Sequence, residues 1–125
     1  MGLKERVFLL GQVDDMKALY AQSSIFVLSS RVEGFPMVLM EAMSQGCACI
    51  AFSVQGAANE MLTQNSGFVI DDGDILDLQQ KLTKLIEDNS LRENYGYNAI
   101  DAVSKFSVKT FVDEWENLIE SVLFK

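Results

Sequence analysis

Two glutamates are the strongest candidates for functional residues in this chain. Seven residues lie between Glu33 and Glu41. Glu33 lies in a predicted loop, and Glu41 lies more than one turn into the helix predicted after it. Since a helical side chain leans back toward the N-terminus, both carboxylates are predicted to flank one ligand. Glu41 has mainly apolar neighbours in the sequence, so we expect it to be partly buried and to accept hydrogen bonds from ligand hydroxyls.

The residues between the two glutamates predict an anion site at the start of this helix. Gly34 lets a ligand approach the backbone closely, and Pro36 suits the first turn of a helix. The amides of Phe35, Met37 and Val38 would then begin the helix without intrahelical acceptors. Such amides, together with the helix dipole, are typical of sites that bind phosphate.

Most of these residues also have a purely structural interpretation. A glutamate near a helix start usually complements the helix dipole, which stabilises the helix by about 0.3–1 kcal/mol, and this interpretation applies to Glu33. Gly34 and Gly46 are equally suited to a turn and a helix cap, and Arg31 is a typical solvated loop charge. Glu41 is the residue that is hardest to explain without a ligand.

The composition excludes several classes of function. No His is present among the 125 residues, which removes the commonest metal ligand and the commonest general base at neutral pH, so no metal site is expected. Cys47 and Cys49 would point to the same face of a strand and are expected to be reduced core thiols of a cytoplasmic protein. No apolar run approaches the roughly 20 residues of a membrane helix, and the N-terminus does not resemble a signal peptide.

The charge is negative and unevenly distributed. Ten basic and eighteen acidic residues give a net charge of −8, which argues against extended nucleic-acid binding. Residues 1–52 contain four basic and five acidic residues, a net charge of −1, whereas residues 53–125 contain six and thirteen, a net charge of −7. Any anion site is therefore expected in the first half of the chain.

The apolar pattern predicts an α/β fold in a single domain over residues 1–125. Four short apolar runs are typical of strands buried on both faces, namely Val7–Gly11, Ile25–Leu28, Cys47–Phe52 and Phe68–Ile70. Helices are predicted from Asp14 to Ala21, from Pro36 to Gln45 with Gly46 as C-cap, and near Ala57–Leu62 after a loop containing Gly56. This alternation indicates a Rossmann-like parallel sheet of about four strands flanked by helices.

From residue 74 onward the pattern is wholly helical and predicts a helical C-terminal tail. Asp74 is a predicted N-cap, and Ser90 opens a second helix with capping-box spacing. The last helix repeats apolar residues every three or four positions between Val108 and Leu123. Its apolar stripe is expected to be buried.

The segment around the two glutamates resembles a known family signature. Ser30-Arg-Val-Glu-Gly-Phe-Pro-Met-Val-Leu-Met-Glu-Ala-Met, followed by Gly46 and an apolar strand, is similar to the signature of the retaining GT-B glycosyltransferases of family 4, also called group 1. Further segments are similar to successive parts of that family's C-terminal, donor-binding domain: Val7–Gly11, the helix from Asp14 to Ala21, Ile25–Ser30, Gly56 with Glu60, and Gly67–Ile70. The resemblance covers nearly the whole chain and implies a partial GT-B C-terminal domain.

The resemblance implies a site for a nucleotide-diphosphate sugar, the donor of a metal-independent transfer that retains anomeric configuration and uses no other cofactor. Glu33 matches the glutamate that contacts the donor sugar near its reacting carbon, which is the catalytic position. Glu41 matches the glutamate that accepts hydrogen bonds from the ribose hydroxyls. The remaining binding residues match the loop entry and the helix start that holds the distal phosphate: Ser30, Gly34, Phe35, Pro36, Met37 and Val38.

The chain departs from the family pattern in two respects. The family's donor domain begins with two further strands whose Arg and Lys neutralise the diphosphate, and nothing in this chain matches them. The acceptor-binding N-terminal domain, which would be the partner of this one, is absent as well. We therefore expect a fragment, either an excised domain or a shortened gene product, that is inactive alone.

Two alternatives remain open. One is a flavodoxin-like interaction or regulatory domain that has lost ligand binding, which the missing basic residues favour. The other is an unrelated nucleotide-binding domain, although the sequence has neither a Lys-containing phosphate loop nor a three-glycine dinucleotide motif. A cytoplasmic location is expected, with membrane association of a full-length protein left open.

The first predicted strand poses a separate question. In the family's sheet order, other strands separate the equivalents of Val7–Gly11 and Ile25–Leu28. Without those strands, we expect Val7–Gly11 either to pair directly with Ile25–Leu28 or to mediate self-association through an exposed sheet edge.

Overall fold

A computed structural model describes residues 2–53 and 58–125. The predicted loop residue Gly56 and the predicted helix residue Ala57 lie outside these ranges. The described chain alternates strands and helices as expected of an α/β fold, and its last 50 residues are almost entirely helical.

Among the described residues, three parallel strands form the sheet in the order β1-β2-β3: β1 (Ile25–Leu28), β2 (Ala48–Ser53) and β3 (Gly67–Asp71). Ile25 pairs with Ala48 in the first ladder, and Cys49 pairs with Gly67 in the second. The central strand β2 is buried from Ala48 to Phe52, in agreement with its continuous apolar sequence. A Cβ at Gly67 would lie 2.5 Å from the carbonyl oxygen of Cys49, so the ladder requires glycine there.

In the described part of the chain, six helices accompany the sheet: α1 (Met16–Ala21), α2 (Met37–Ser44), α3 (Ala58–Met61), α4 (Ile75–Glu87), α5 (Asn89–Ser104) and α6 (Val108–Leu123). Asp74 is the N-cap of α4, as predicted, and accepts a hydrogen bond from the amide of Asp77. Two predicted helix starts were wrong. α1 begins after the N-cap Asp15 rather than at Asp14, and α5 begins after the N-cap Asp88 rather than at Ser90, because each of these caps accepts a hydrogen bond from the amide three residues ahead.

Two apolar layers cover the faces of β2. One layer contains Cys47, Cys49 and Ala51, and it packs against buried residues of α1, α2, α3 and α5. The other contains Ala48, Ile50 and Phe52, and its partners come from β3, α4 and α5. Cys47 and Cys49 are free, buried thiols in the same layer, as predicted.

The turn that ends α2 packs directly on the backbone of α5. Gly46 has a φ of +80°, the left-handed conformation predicted for a glycine C-cap. A Cβ on Gly96 of α5 would overlap the carbonyl oxygen of Gly46. This approach of two backbones fixes α5 beside the end of α2 and the start of β2.

The prediction of a strand at Val7–Gly11 was wrong, so the sheet has three strands rather than four within residues 2–53 and 58–125. Val7 donates its amide hydrogen bond to the carbonyl of Leu3 in a turn, and Leu9 is 98% exposed. Direct pairing with β1 is therefore also absent from the described chain. The segment has strand-forming residues, but β-propensity expresses packing against neighbouring strands, and no described strand receives it.

The prediction that the stripe of α6 is buried was also wrong. α6 forms over Val108–Leu123, starting at the N-cap Ser107, but it has no buried residue. Its apolar periodicity specifies the helix correctly, whereas burial needs a surface that the described residues do not provide. None of the described helices is both long enough and apolar enough to cross a membrane.

Candidate functional site

The predicted site lies in the loop at residues 29–36, between β1 and α2, here called the β1–α2 loop. This loop follows the carboxyl end of a parallel strand, where open α/β sheets bind ligands. Ser30 and Glu33 are half-buried and Gly34 is exposed. Pro36 is fully buried as the N-cap of α2, with no side-chain hydrogen bond to the helix start.

The start of α2 leaves two backbone amides open. The amide of Met37 donates to the carbonyl of Phe35 at 2.9 Å, and Leu39 and Met40 donate to Pro36. Within the part of the chain that the structure describes, the amides of Phe35 and Val38 have no backbone acceptor. Of the three amides predicted to lack an acceptor, two do lack a backbone acceptor. The third, that of Met37, donates its hydrogen bond within the tight turn at residues 35–37.

Gly34 has no role in the packing of the chain itself. Its φ is not in the left-handed region, and a Cβ built on it would meet no atom within 4 Å. Neither conformation nor steric fit therefore demands glycine at this position. The space beside its Cα is open, as required if a ligand approaches the backbone there.

Phe35 connects the β1–α2 loop, through a side-chain contact, with the junction of α5 and α6. Its ring packs edge-to-face on Phe106, with the ring centroids 6.0 Å apart. The Lys105 ammonium lies 5.1 Å from the centre of the Phe106 ring and donates to the carbonyl of Glu60 at 3.3 Å. Sequence reasoning missed Lys105 and Phe106, because edge-to-face contacts across distant segments leave no periodic signal.

Glu41 lies on the exposed side of α2, so the expectation that it is partly buried was wrong. The buried side of α2 consists of Leu39, Ala42 and Met43, and Glu41 instead faces α1. Burial raises the pKa of Tyr20 on α1, and the nearby Glu41 carboxylate raises that pKa further. Glu41 is therefore an accessible acceptor with a tyrosine beside it.

A polar pocket of about 520 Å³ lies between α1 and α2 and is called the α1–α2 pocket. Its lining consists of Asp14, Asp15, Met16, Lys17, Tyr20, Glu41, Ser44 and Gln45. Glu33 is not part of this lining, so whether both carboxylates flank one ligand stays a prediction. The aspartates, Lys17 and Tyr20 were not predicted as site residues, although two adjacent acidic residues and a nearby lysine are visible in the sequence.

Comparison with known proteins identifies the family. The family described as "Glycosyl transferases group 1" matches residues 1–102. The capsular polysaccharide biosynthesis glycosyltransferase CapM of Staphylococcus aureus is 33% identical over 118 residues, which cover 94% of this chain and 31% of CapM. The N-acetyl-alpha-D-glucosaminyl L-malate synthase of Bacillus anthracis is 30% identical, covering 97% of this chain and 32% of that protein. The chain spans about a third of the length of these two relatives.

Solved structures agree with this assignment. Anabaena Alr3699/HepE in complex with UDP superposes with a TM-score of 0.86 at 28% identity, over 96% of this chain and 34% of that one. The C-terminal domain of the group 1 glycosyltransferase LpcC from Francisella tularensis superposes with a TM-score of 0.71 at 28% identity, over 82% of this chain and 53% of that one. The α/β fold with GT-B neighbours is as predicted, and the chain belongs to the group 1 glycosyltransferases.

Proposed function

We propose that this chain is the donor-binding part of a glycosyltransferase and that it binds a nucleotide-diphosphate sugar at the carboxyl end of β1. The observation that carries the proposal is the open start of α2, where the amides of Phe35 and Val38 have no backbone acceptor among the described residues. Open amides at a helix start bind phosphate oxygens well, because the helix dipole adds to their hydrogen bonds. The complex of the related HepE structure with UDP supports this ligand class.

Five of the predicted residues have a role in this proposal. The amides of Phe35 and Val38 would hold the distal phosphate, and the open space at Gly34 would let it approach. Glu41, exposed beside the α1–α2 pocket, would accept hydrogen bonds from the ribose hydroxyls. Glu33, half-buried in the loop, would contact the sugar close to its reacting carbon.

The reaction proposed for the longer protein is glycosyl transfer with retention of configuration and without a metal. The bond between the anomeric carbon and the diphosphate oxygen breaks, a bond to an acceptor oxygen forms, and the acceptor loses its proton. The helix start of α2 would stabilise the charge that develops on the departing diphosphate. Acceptor and donor must also be held within reacting distance, so this chain alone is expected to transfer no sugar without the further domain.

The proposal also includes a cytoplasmic location for this activity. The two free, buried thiols favour a reducing cytoplasm. Membrane association, where it occurs, would come from the part of a longer protein that this chain does not contain.

The test is a titration of the ¹⁵N-labelled chain with UDP, GDP and ADP, followed by NMR. We expect weak, saturable shifts of the amides from Gly34 to Val38 and of Glu41 with at least one of the nucleotides. Weak binding is expected because no residue of this chain matches the basic pair that the family resemblance places on the diphosphate. No shifts with any nucleotide at millimolar concentration would contradict the proposal and favour the interaction domain that has kept the fold and lost its ligand.

A further inference from the structure

The two open amides at the start of α2 differ in how firmly the fold holds them. The amide of Val38 belongs to the helix and is fixed by it, whereas the amide of Phe35 lies in the peptide plane between Gly34 and Phe35, before the helix begins. Glycine permits a wide range of backbone angles, so Gly34 does not fix this plane. A residue that precedes proline is restricted in conformation, but it keeps a range of about ±40° in φ. The direction of the Phe35 amide therefore depends on what holds the Phe35 side chain.

Backbone hydrogen bonds do not hold this part of the β1–α2 loop. Residues 30–34 form no backbone hydrogen bond with any other described residue, and the carbonyl of Phe35 accepts a local one from Met37. Pro36 is fully buried and fixes the chain on the other side of the Phe35 residue, where the helix begins. The contact of the Phe35 ring with Phe106 is therefore the one that can hold the Phe35 amide in a single direction.

Phe106 is a firm support because several contacts fix it. Its half-buried side chain packs against the apolar layer that contains Cys49, and its amide donates to the carbonyl of Val103 at 3.0 Å. The Lys105 ammonium lies 5.1 Å from the centre of the Phe106 ring, close enough for a cation–π attraction. The same ammonium donates to the carbonyl of Glu60 at 3.3 Å. Phe106 thus joins the loop to the core, to the end of α5 and to α3.

We propose that Phe106 is a positioning residue for nucleotide binding: its edge-to-face contact holds the Phe35 ring and thereby directs the Phe35 amide at the distal phosphate. Direction matters because a hydrogen bond weakens steeply as the N–H turns away from its acceptor. Phe106 itself does not touch the ligand and acts through Phe35. The inference rests on the proposed function and adds to it the residue that makes the site prefer nucleoside diphosphates to monophosphates.

The test compares two ligands that differ by the distal phosphate. Whichever of UDP, GDP and ADP binds in the NMR titration is compared with the monophosphate of the same base, which keeps the base and the ribose. We expect the wild-type chain to bind the diphosphate more tightly than the monophosphate. Phe106→Leu should lower the affinity for the diphosphate about three- to tenfold, because part of one charged hydrogen bond is lost, and that for the monophosphate less than about twofold. Phe106→Tyr keeps the ring and should restore the wild-type ratio of the two affinities.

Phe68→Leu is the matched control. Phe68 packs edge-to-face on Tyr95, with the ring centroids 5.1 Å apart, and the Lys81 ammonium lies 5.3 Å from the centre of its ring. This contact belongs to the other apolar layer, on the far face of β2. The same substitution therefore removes the same kind of contact away from the loop. It should lower the melting temperature and leave the ratio of the two affinities unchanged.

A second variant keeps the test decisive if Phe106→Leu does not fold. Phe35→Leu changes a loop side chain that is 46% exposed and leaves the backbone amide in place. It should reduce the affinity for the diphosphate by the same factor as Phe106→Leu. The double variant should bind no more weakly than either single variant, because both substitutions remove one shared contact.

The outcomes separate this inference from the proposed function. Equal affinity of the wild-type chain for the two ligands, or an unchanged ratio in Phe106→Leu and Phe35→Leu, would overturn the inference and leave nucleotide binding intact. Additive effects in the double variant would also overturn it, because Phe35 would then act independently of Phe106. No binding of any of the three diphosphates would contradict the proposed function and this inference with it.

Discussion

Replacement of Glu41 by Gln tests the proposed ribose contact with little effect on the fold. The side chain is exposed on α2 and outside both apolar layers, so the substitution removes a charge without removing packing. A hydrogen bond to a charged acceptor contributes about 1.5–3 kcal/mol, which corresponds to about a tenfold to hundredfold change in affinity. Because solvent competes at an exposed carboxylate, we expect UDP binding to weaken by a factor near the lower end of this range.

The assay is the NMR titration with UDP, combined with a readout that does not need nucleotide. Burial is the main cause of the raised pKa of Tyr20, and the charge of Glu41 is the second. Glu41→Gln should therefore lower the pKa of Tyr20 only part of the way to its ordinary value. Glu87→Gln, at the far end of α4, is the matched control and should change neither quantity. An unchanged affinity for UDP together with a lowered pKa of Tyr20 would show that Glu41 is placed as described but does not bind the ribose.

Further consequences follow from the glycines, the loop contact and the thiols. Gly34→Ala should leave the melting temperature unchanged and weaken UDP binding, because its Cβ meets no protein atom and points into the open space. Gly96→Ala should lower the free energy of unfolding by about 1–3 kcal/mol in urea titrations, since its Cβ overlaps the backbone of the α2–β2 turn. Phe106→Leu should speed hydrogen exchange in the β1–α2 loop, whereas Phe106→Tyr keeps the edge-to-face contact and should not. Burial, and to a lesser degree the nearby Cys47, raises the pKa of Cys49 in the folded chain. In the unfolded chain this thiol has its ordinary pKa of 9.0, so above pH 9 it ionises there while it stays protonated in the folded chain. Stability should therefore fall as the pH rises above 9, and Cys49→Ala should flatten that fall.

The sequence allowed most of the α/β core to be predicted, because the core is specified by local pattern. The apolar runs at Ile25–Leu28 and Phe68–Ile70 became strands, and Pro36 and Gly46 bounded α2 as expected. The run at Val7–Gly11 has the same local character but no pairing partner in the described chain. Strand formation depends on a neighbouring strand, and this dependence cannot be read from one segment.

The elements around the candidate site were predicted in position more accurately than the exposure of their side chains. The loop after β1 and the helix start of α2 lie where the motif indicated. The exposure of Glu41 could not be inferred from its apolar neighbours, because only Leu39, Ala42 and Met43 lie on the buried side of the helix, while other apolar residues of α2 are exposed. The contact of Phe35 with Phe106 joins residues far apart in the sequence, and only the packing of α5 against the sheet brings them together.

The order of the sheet has a consequence for how such a chain assembles. β1 pairs with β2 and β2 with β3, so each strand joins the strand that follows it in the sequence. Each ladder then closes a single crossover connection with no strand in between, which limits the entropy cost of loop closure. As a ribosome releases the polypeptide, every strand after the first finds its partner already synthesised. All three strands lie within residues 25–71, so both ladders can form as soon as that stretch of the chain has left the ribosome.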